Sequence, residues 1–179
     1  MIPILAQGIG IFAFAFNVLS YQAKKNQHLY IMQGISGTLF TVHFLLLGDY
    51  TASALNGVSI LRGAALAAGR KWSSLPIFLA IEAAFLAAGI LTYKGILSIA
   101  ITAAQLLCTA TLWSRNGKVI RIVQFCVLSP TWMVNNIFAG SIGGTVTEIL
   151  AMISILISFL RFGWSGMEVE HKQDRASIE

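Results

Sequence analysis

Three ionisable residues interrupt segments that are otherwise apolar: Arg62, Glu82 and Glu148. An ionisable side chain in a membrane segment is expensive, and it marks a functional site unless a partner accounts for it. Glu148 is therefore the first candidate for binding a solute. The sequence leaves its partner open: Glu148 could instead form a structural ion pair with Arg62 or Arg161, and an Arg62–Glu82 pair is as plausible as an Arg62–Glu148 pair.

Amide, imidazole and indole side chains form a second group of candidates. Trp132 precedes two adjacent asparagines by one helical turn, so an indole face and two amides could hold a polar, ring-bearing ligand. For each of these side chains the alternative is structural, as a hydrogen bond to a neighbouring helix or as interior packing. The predicted substrate-binding set is Asn56, Glu148, His43, Asn136, Trp132, Arg62 and Asn135.

No pattern points to catalysis, a metal or a cofactor. The three histidines are isolated, and Cys108 and Cys126 fall in apolar segments, where cysteines usually fill space. The stretch "GSIGG" lacks the lysine and the preceding strand of a phosphate loop, and it predicts a tight turn. We predict that the protein is not an enzyme. An intramembrane enzyme would need a second reactive group near Glu148, for which His43 is the only candidate.

The elements that position these residues must be membrane helices. The chain has 179 residues, a mean hydropathy of +0.77 and only 11% charged residues, whereas about a quarter is usual in soluble domains. In lipid the backbone must satisfy its own hydrogen bonds, which favours helices. No room remains for a separate soluble catalytic domain. The start, "MIPILAQGIG", lacks a basic region and a cleavage site, so we expect it to stay as a transmembrane helix.

Hydropathy and helix-breaking residues predict an all-α, polytopic membrane protein with seven transmembrane helices. In the sixth, Pro130 should free the carbonyl of Cys126 and favour a kink. The predicted helices are 3–22, 28–47, 51–69, 75–92, 95–113, 119–139 and 142–162.

Basic residues predict the orientation. Lys94 alone flanks the helices on one side, Arg62 lies within a helix, and Lys172 and Arg175 lie in a polar tail. Because basic loops stay in the cytoplasm, the N-terminus should lie outside and the C-terminus inside. The net charge of +5 then reflects orientation rather than binding of nucleic acid. The basic residues that flank helices on the other side are Lys24, Lys25, Arg70, Lys71, Arg115, Lys118, Arg121 and Arg161.

The two halves of the chain resemble each other. "LSYQAKKNQHLYIMQ" (19–33) aligns with "ATLWSRNGKVIRIVQ" (110–124), an offset of 91 residues. "VHFLLLGDYTASALN" (42–56) aligns with "VNNIFAGSIGGTVTE" (134–148), an offset of 92. Three helices followed by one and then three predict a parallel 3+1+3 repeat. The predicted units are repeat 1 (1–69), a linker helix (70–93), repeat 2 (94–163) and a cytoplasmic tail (164–179).

The chain resembles the YgjV-type family of small bacterial inner-membrane proteins over most of residues 4–162. The resemblance is carried by "LAQGIGIFAF", by "VHFLLLGDYTASALN" with "ILRG" following, and by "NNIFAGSIGGTVTEIL". It implies a multi-pass protein of the bacterial inner (plasma) membrane and supplies no function.

A weaker, architectural resemblance is to the SWEET sugar transporters and PQ-loop proteins. It implies a substrate-binding polar residue on the third helix of each repeat, where Asn56 and Glu148 stand, and it fits Trp132 on the second helix of repeat 2. That family has prolines in the first two helices of each repeat. Here only Pro130 falls at such a position and no Pro–Gln pair occurs, which puts hinge-driven alternating access in doubt.

These observations predict a small-solute permease, for a sugar-like or other small polar or cationic solute, with a midplane site between the repeats. Arg62 would close or charge-balance the cytoplasmic side. The alternative is a non-transporting scaffold or accessory subunit whose polar residues only join helices. A water-accessible cavity that reaches Glu148 would favour the permease. The predicted partners are the lipid bilayer and a small polar solute, with no nucleic acid and no cofactor; a homo-oligomer is left open.

Overall fold

Helices and no strands make up the regular structure of residues 2–69, 72 and 74–162, the part of the chain that the computed structural model describes. The all-α prediction is therefore confirmed. The predicted tail (164–179) and the basic residues Arg70, Lys71, Lys172 and Arg175 lie outside the described residues. The helices are α1 (Ile2–Ser20), α2 (Asn26–Leu47), α3 (Tyr50–Ala67), α4 (Leu75–Leu91), α5 (Ile96–Trp113), α6 (Gly117–Val123), α7 (Ser129–Phe138) and α8 (Ile142–Phe162).

The side chains are distributed as lipid requires. Large apolar residues such as Leu91 and Leu160 are the most exposed, at 84% and 87%, while many serines, threonines and amides are buried. Because hydrocarbon surrounds a membrane protein, an apolar outer face is the favourable one. Three helical stretches are long and apolar enough to cross a bilayer, Gln27–Leu47, Ile96–Trp113 and Ile142–Arg161.

Six helical rods form a closed ring, which we call the helical ring. Five of the rods are single helices, and the sixth consists of α6 and α7 in succession. Around it α1 packs on α2, α2 on α3, and α3 on α5. The ring continues from α5 to the rod formed by α6 and α7, then to α8, which returns to α1. The remaining helix, α4, packs against α3 and α5 from outside. The ring therefore brings the first and last thirds of the chain together, and α4 lies outside it, where α3 meets α5.

The sixth rod is not a continuous α-helix. A π-helical turn, Gln124–Leu128, separates α6 from α7, and Ser129 donates its amide hydrogen to the carbonyl of Gln124, five residues earlier. Pro130 stands in the first turn of α7 and has no N–H to donate to Cys126. Next to Pro130, where the sequence predicts a kink, the structure has a π turn, which inserts an extra residue into one helical turn.

Two equivalent turns start α3 and α8. Gly48 and Gly140 have φ angles of 77° and 67°, a region that residues with a Cβ rarely adopt. The residues that follow them, Asp49 and Ser141, each accept a hydrogen bond from the backbone amide three residues later, at 3.1 and 3.0 Å. This is N-capping, and we call Asp49 and Ser141 the cap residues.

Candidate functional site

A cavity of about 70 Å³ lies inside the helical ring, and we call it the central cavity. All six rods of the ring contribute side chains to its lining, whereas α4 contributes none. Glu148 is among the residues that line it. Five members of the predicted set line it: Asn56, Arg62, Trp132, Asn136 and Glu148.

Among the described residues, four buried side-chain polar atoms lack a hydrogen-bond partner, and all four belong to the lining of this cavity. They are Asn17 Oδ1, Tyr21 Oη, Asn136 Oδ1 and Glu148 Oε2. Leaving such an atom unpaired costs on the order of 1–3 kcal/mol, and native proteins seldom do so. The residues that carry them line one cavity, which makes this cavity the candidate site.

Glu148 is held on one side only. The residue as a whole is half-buried, but its carboxyl group is buried and hydrogen-bonds to the Ser129 side chain. The Ser129 hydroxyl in turn accepts a hydrogen bond from Gln124 at 3.2 Å. Both residues belong to the π turn or its edge, so the irregularity of the sixth rod positions the acid. Its second oxygen, Oε2, has no partner.

Arg62 is buried, and its guanidinium bonds neutral groups. Its carbon Cζ lies 5.1 Å from the centre of the Phe85 ring on α4, a cation–π distance. Of the ion pairs that the sequence left open, the two that involve Arg62, Arg62–Glu82 and Arg62–Glu148, do not form within 4 Å. Arg62 therefore joins α3 to α4 and α5 while it lines the cavity. It donates hydrogen bonds of 3.0–3.2 Å to the side-chain oxygens of Ser59, Gln105 and Thr109.

His43 and Asn135 do not line the cavity. The His43 ring is fully buried and bonds the Ala6 carbonyl at 2.7 Å through Nδ1 and the Ser141 hydroxyl at 2.9 Å through Nε2. Asn135 donates to the carboxylate of Asp49 at 3.1 Å. Both side chains thus form the helix-to-helix hydrogen bonds that the sequence left open as the structural alternative.

These two contacts are reciprocal. His43 and Asn135 are 92 positions apart (135 − 43), and so are the cap residues that they contact (141 − 49). In each case a residue near the end of the second helix of one half bonds the cap residue of the third helix of the other half. We call His43–Ser141 and Asn135–Asp49 the cap bridges. Together they join the two halves at one end of the ring.

A second reciprocal pair joins the halves at the opposite end. The Tyr30 hydroxyl donates to the carbonyl of Leu112 at 3.4 Å, and Arg121 donates to the carbonyl of Tyr21 at 3.2 Å. Here the donors are 91 positions apart (121 − 30), as are the acceptors (112 − 21). We call Tyr30–Leu112 and Arg121–Tyr21 the base bridges. The central cavity therefore lies between two sets of bonds that link the same two halves.

Several of these residues were not singled out from the sequence. Arg121 counted only as a basic residue beside a helix, yet it is 2% exposed and donates to Ser158 and to three backbone carbonyls at 3.0–3.2 Å. Asn17 and Tyr21 also went unnoticed. Their spacing of four residues, which places both on one face of a helix, was the available signal.

A wider depression of about 620 Å³ lies beside the cap bridges and includes Asp49 and Asn135 in its lining. Lys94 also lines it and donates to the carbonyl of Gly48 at 2.9 Å, with its ammonium 4.7 Å from the centre of the Tyr50 ring. The Asn135–Asp49 cap bridge therefore forms part of the wall of this recess.

Comparison with known proteins indicates to which cell membrane the chain belongs. The family model described as Imp-YgjV, bacterial inner membrane protein, matches residues 4–165. Inner membrane protein YgjV of Escherichia coli (strain K12) is 24% identical over 158 residues, which are 88% of this chain and 84% of that protein. No solved structure matches the chain. These descriptions name a membrane and no activity.

Proposed function

We propose, starting from the fact that this chain belongs to the Imp-YgjV family of bacterial inner membrane proteins, that it is a permease for a small polar or cationic solute that binds in the central cavity. The observation that carries the proposal is a cavity encircled by six rods, whose lining residues include the four that carry an unpaired, buried polar atom. A scaffold whose polar residues only joined helices would be expected to pair them with one another.

The proposed architecture is a parallel repeat of three helices, joined by α4, with seven transmembrane helices and the N-terminus outside. Support comes from the cap bridges and base bridges, because each set maps onto itself when the two halves are exchanged. Cavity-lining residues also fall in equivalent pairs, among them Gln33 with Gln124 and Asn56 with Glu148. A repeat about an axis along the membrane normal places a substrate site between its halves.

The number of positions between equivalent residues of the two halves changes from 91 to 92 along the chain, and the π turn explains this change. Gln33 and Gln124 are 91 positions apart, whereas Phe40 and Trp132, further along the same helices, are 92 apart, and all four line the cavity. The π turn at Gln124–Leu128 lies between them. One additional residue there, absorbed by the wider turn, keeps the cavity-facing residues of α7 in register with those of α2.

The two sets of bridges suggest how a solute would pass. The central cavity lies between the two sets. Opening the cap bridges would connect it to the recess of about 620 Å³ beside them, and opening the base bridges would connect it to the other side. Alternating access of this kind is rocking of one half against the other around a fixed site.

Uptake into proteoliposomes tests the permease. We expect saturable uptake of at least one member of a panel of amines, amino acids and sugars, and loss of that uptake in Glu148→Gln. Glu82→Gln is the matched control, because it makes the same change in α4, which does not line the cavity. If no solute moves into wild-type proteoliposomes and both variants fold normally, the role of an accessory subunit replaces that of a permease.

Labelling of single cysteines tests the orientation. In a variant in which Ser replaces Cys108 and Cys126, Lys94→Cys should react with a membrane-impermeant maleimide on intact spheroplasts. Lys118→Cys should react only after the membrane is permeabilised. The opposite pattern would reverse the proposed topology, and equal labelling of both would rule out the proposed number of crossings between them.

A further inference from the structure

We infer, on the basis of the binding role proposed for the central cavity, that its solute is a small organic cation of the ammonium class. The first step concerns hydrogen-bond type. Glu148 is the one acidic residue in the lining, and its Oε2 has no hydrogen-bond partner. A carboxylate oxygen that accepts no hydrogen bond is best satisfied by a guest that brings donors. A protonated amine carries several N–H donors and no acceptor.

The second step concerns the apolar part of the lining. Phe40, Phe44 and Trp132 all face the cavity, and the ring centres of Phe40–Phe44 and Phe44–Trp132 are 5.8 Å apart. Such a run of rings presents aromatic surface to the guest. Aromatic faces attract cations, tryptophan most strongly. A carboxyl group together with an aromatic wall matches the two parts of an alkylammonium ion, its charged head and its carbon stem.

Arg62 also lines the cavity and would at first sight favour an anion. However, its guanidinium already donates three hydrogen bonds to neutral oxygens and lies over the Phe85 ring. An anion would have to compete with those bonds and would meet Glu148 in the same small space. A neutral alcohol would leave the carboxyl group without a partner of opposite charge. Of the three charge classes, a cation best fits a lining whose one acidic residue is Glu148.

Size narrows the class further. The cavity measures about 70 Å³, less than half the volume of an apolar protein cavity of roughly 150 Å³ that binds benzene. In this conformation it therefore accommodates a solute of a few non-hydrogen atoms, such as methylammonium or ethylammonium. A hexose would require the ring to widen.

Calorimetry on the purified full-length chain in nanodiscs, at constant ionic strength, tests this inference without any transport step. The probes are ethylammonium, ethanol and acetate, which share a two-carbon skeleton and differ in charge. We expect heat of binding for ethylammonium alone. Comparable binding of ethanol, preferred binding of acetate, or no binding of ethylammonium would each overturn the inference.

Two variants locate the binding. Glu148→Gln should weaken ethylammonium binding at least about tenfold, as expected when a charge-assisted hydrogen bond is lost, while Glu82→Gln should leave it unchanged. Trp132→Leu should weaken it about threefold through loss of the cation–π contact. Unchanged affinity in Glu148→Gln would overturn the assignment.

If Glu148→Gln does not fold, a size series on the wild-type protein replaces it. Methylammonium and ethylammonium should bind and tetraethylammonium should not; equal binding of all three would place the cation on the surface and overturn the inference. The result is separable from that of the uptake assay. Binding of ethylammonium without uptake of any solute would overturn the permease alone. Uptake of a sugar without binding of ethylammonium would overturn the cation alone.

Discussion

Asn135 and Asn136 are adjacent, chemically identical and both buried, yet they serve different regions. Asn135 donates to Asp49 in a cap bridge, whereas Asn136 lines the central cavity and its side-chain oxygen has no partner. In the bridges, polar side chains of the two halves satisfy each other, but around the cavity some polar atoms stay unpaired. Residue type and depth in the membrane therefore do not reveal a role. The presence or absence of a hydrogen-bond partner distinguishes the two roles, and substitution of each residue tests that distinction.

The largest effect should come from the base bridges. Arg121→Met would leave three backbone carbonyls and the Ser158 hydroxyl without their donor. We expect a loss of about 3 kcal/mol or more in the free energy of unfolding, since each unpaired buried group costs roughly 1–3 kcal/mol. Unfolding of the purified protein by SDS titration would measure it. Lys24→Met, at an exposed cation, is the control, and equal stability of the two variants would contradict the assigned role of Arg121.

The cap bridges should give a smaller loss. His43→Ala removes contacts with Ala6 and Ser141 and leaves space beside Gly10, where a Cβ atom would come within 2.9 Å of the ring. We expect about 2 kcal/mol of destabilisation in the same unfolding assay. Val42→Ala, at the adjacent residue on the exposed surface, should change little. If His43→Ala is as stable as that control, the bridge does not hold the halves together.

The smallest effect should come from the cavity, where one matched pair of variants compares the two regions directly. Asn17→Leu removes an amide whose oxygen has no partner, so we expect stability within about 0.5 kcal/mol of wild type or a small gain. Asn135→Leu makes the same change in a cap bridge and should cost about 1 kcal/mol. Thermal unfolding in detergent would rank the two. A loss in Asn17→Leu equal to that in Asn135→Leu would remove the distinction between cavity and bridge.

Much of the helical framework was predictable. The seven predicted segments coincide with the six rods of the helical ring and α4 to within two residues at every end. Hydropathy and helix-breaking residues act locally, so the sequence reveals them directly. The π turn was foreseen only as an irregularity at Pro130, since the sequence does not say how a helix accommodates a proline. The membrane itself also followed from composition, and the family supports it.

The candidate site was less predictable. Five of the seven proposed residues line the central cavity, while His43 and Asn135 turn to the cap residues. Periodicity gives the face of a helix on which a residue lies, but not which neighbour that face meets. The unpaired Asn17 and Tyr21 were overlooked for the same reason. Their significance depends on the absence of a partner, which no single segment can reveal.

The sequence by itself thus determined that this chain enters a membrane as helices with an apolar outer surface. That outcome follows because about twenty consecutive apolar residues are long enough to cross the hydrocarbon core of a bilayer as a helix. Only the tertiary structure decided which polar groups are paired. A hydrogen bond needs a partner within about 3.5 Å, and for His43 that partner is Ser141, 98 residues away in the chain. The helical ring brings such residues together, and it leaves Asn17, Tyr21, Asn136 and Glu148 with polar atoms unpaired around the central cavity.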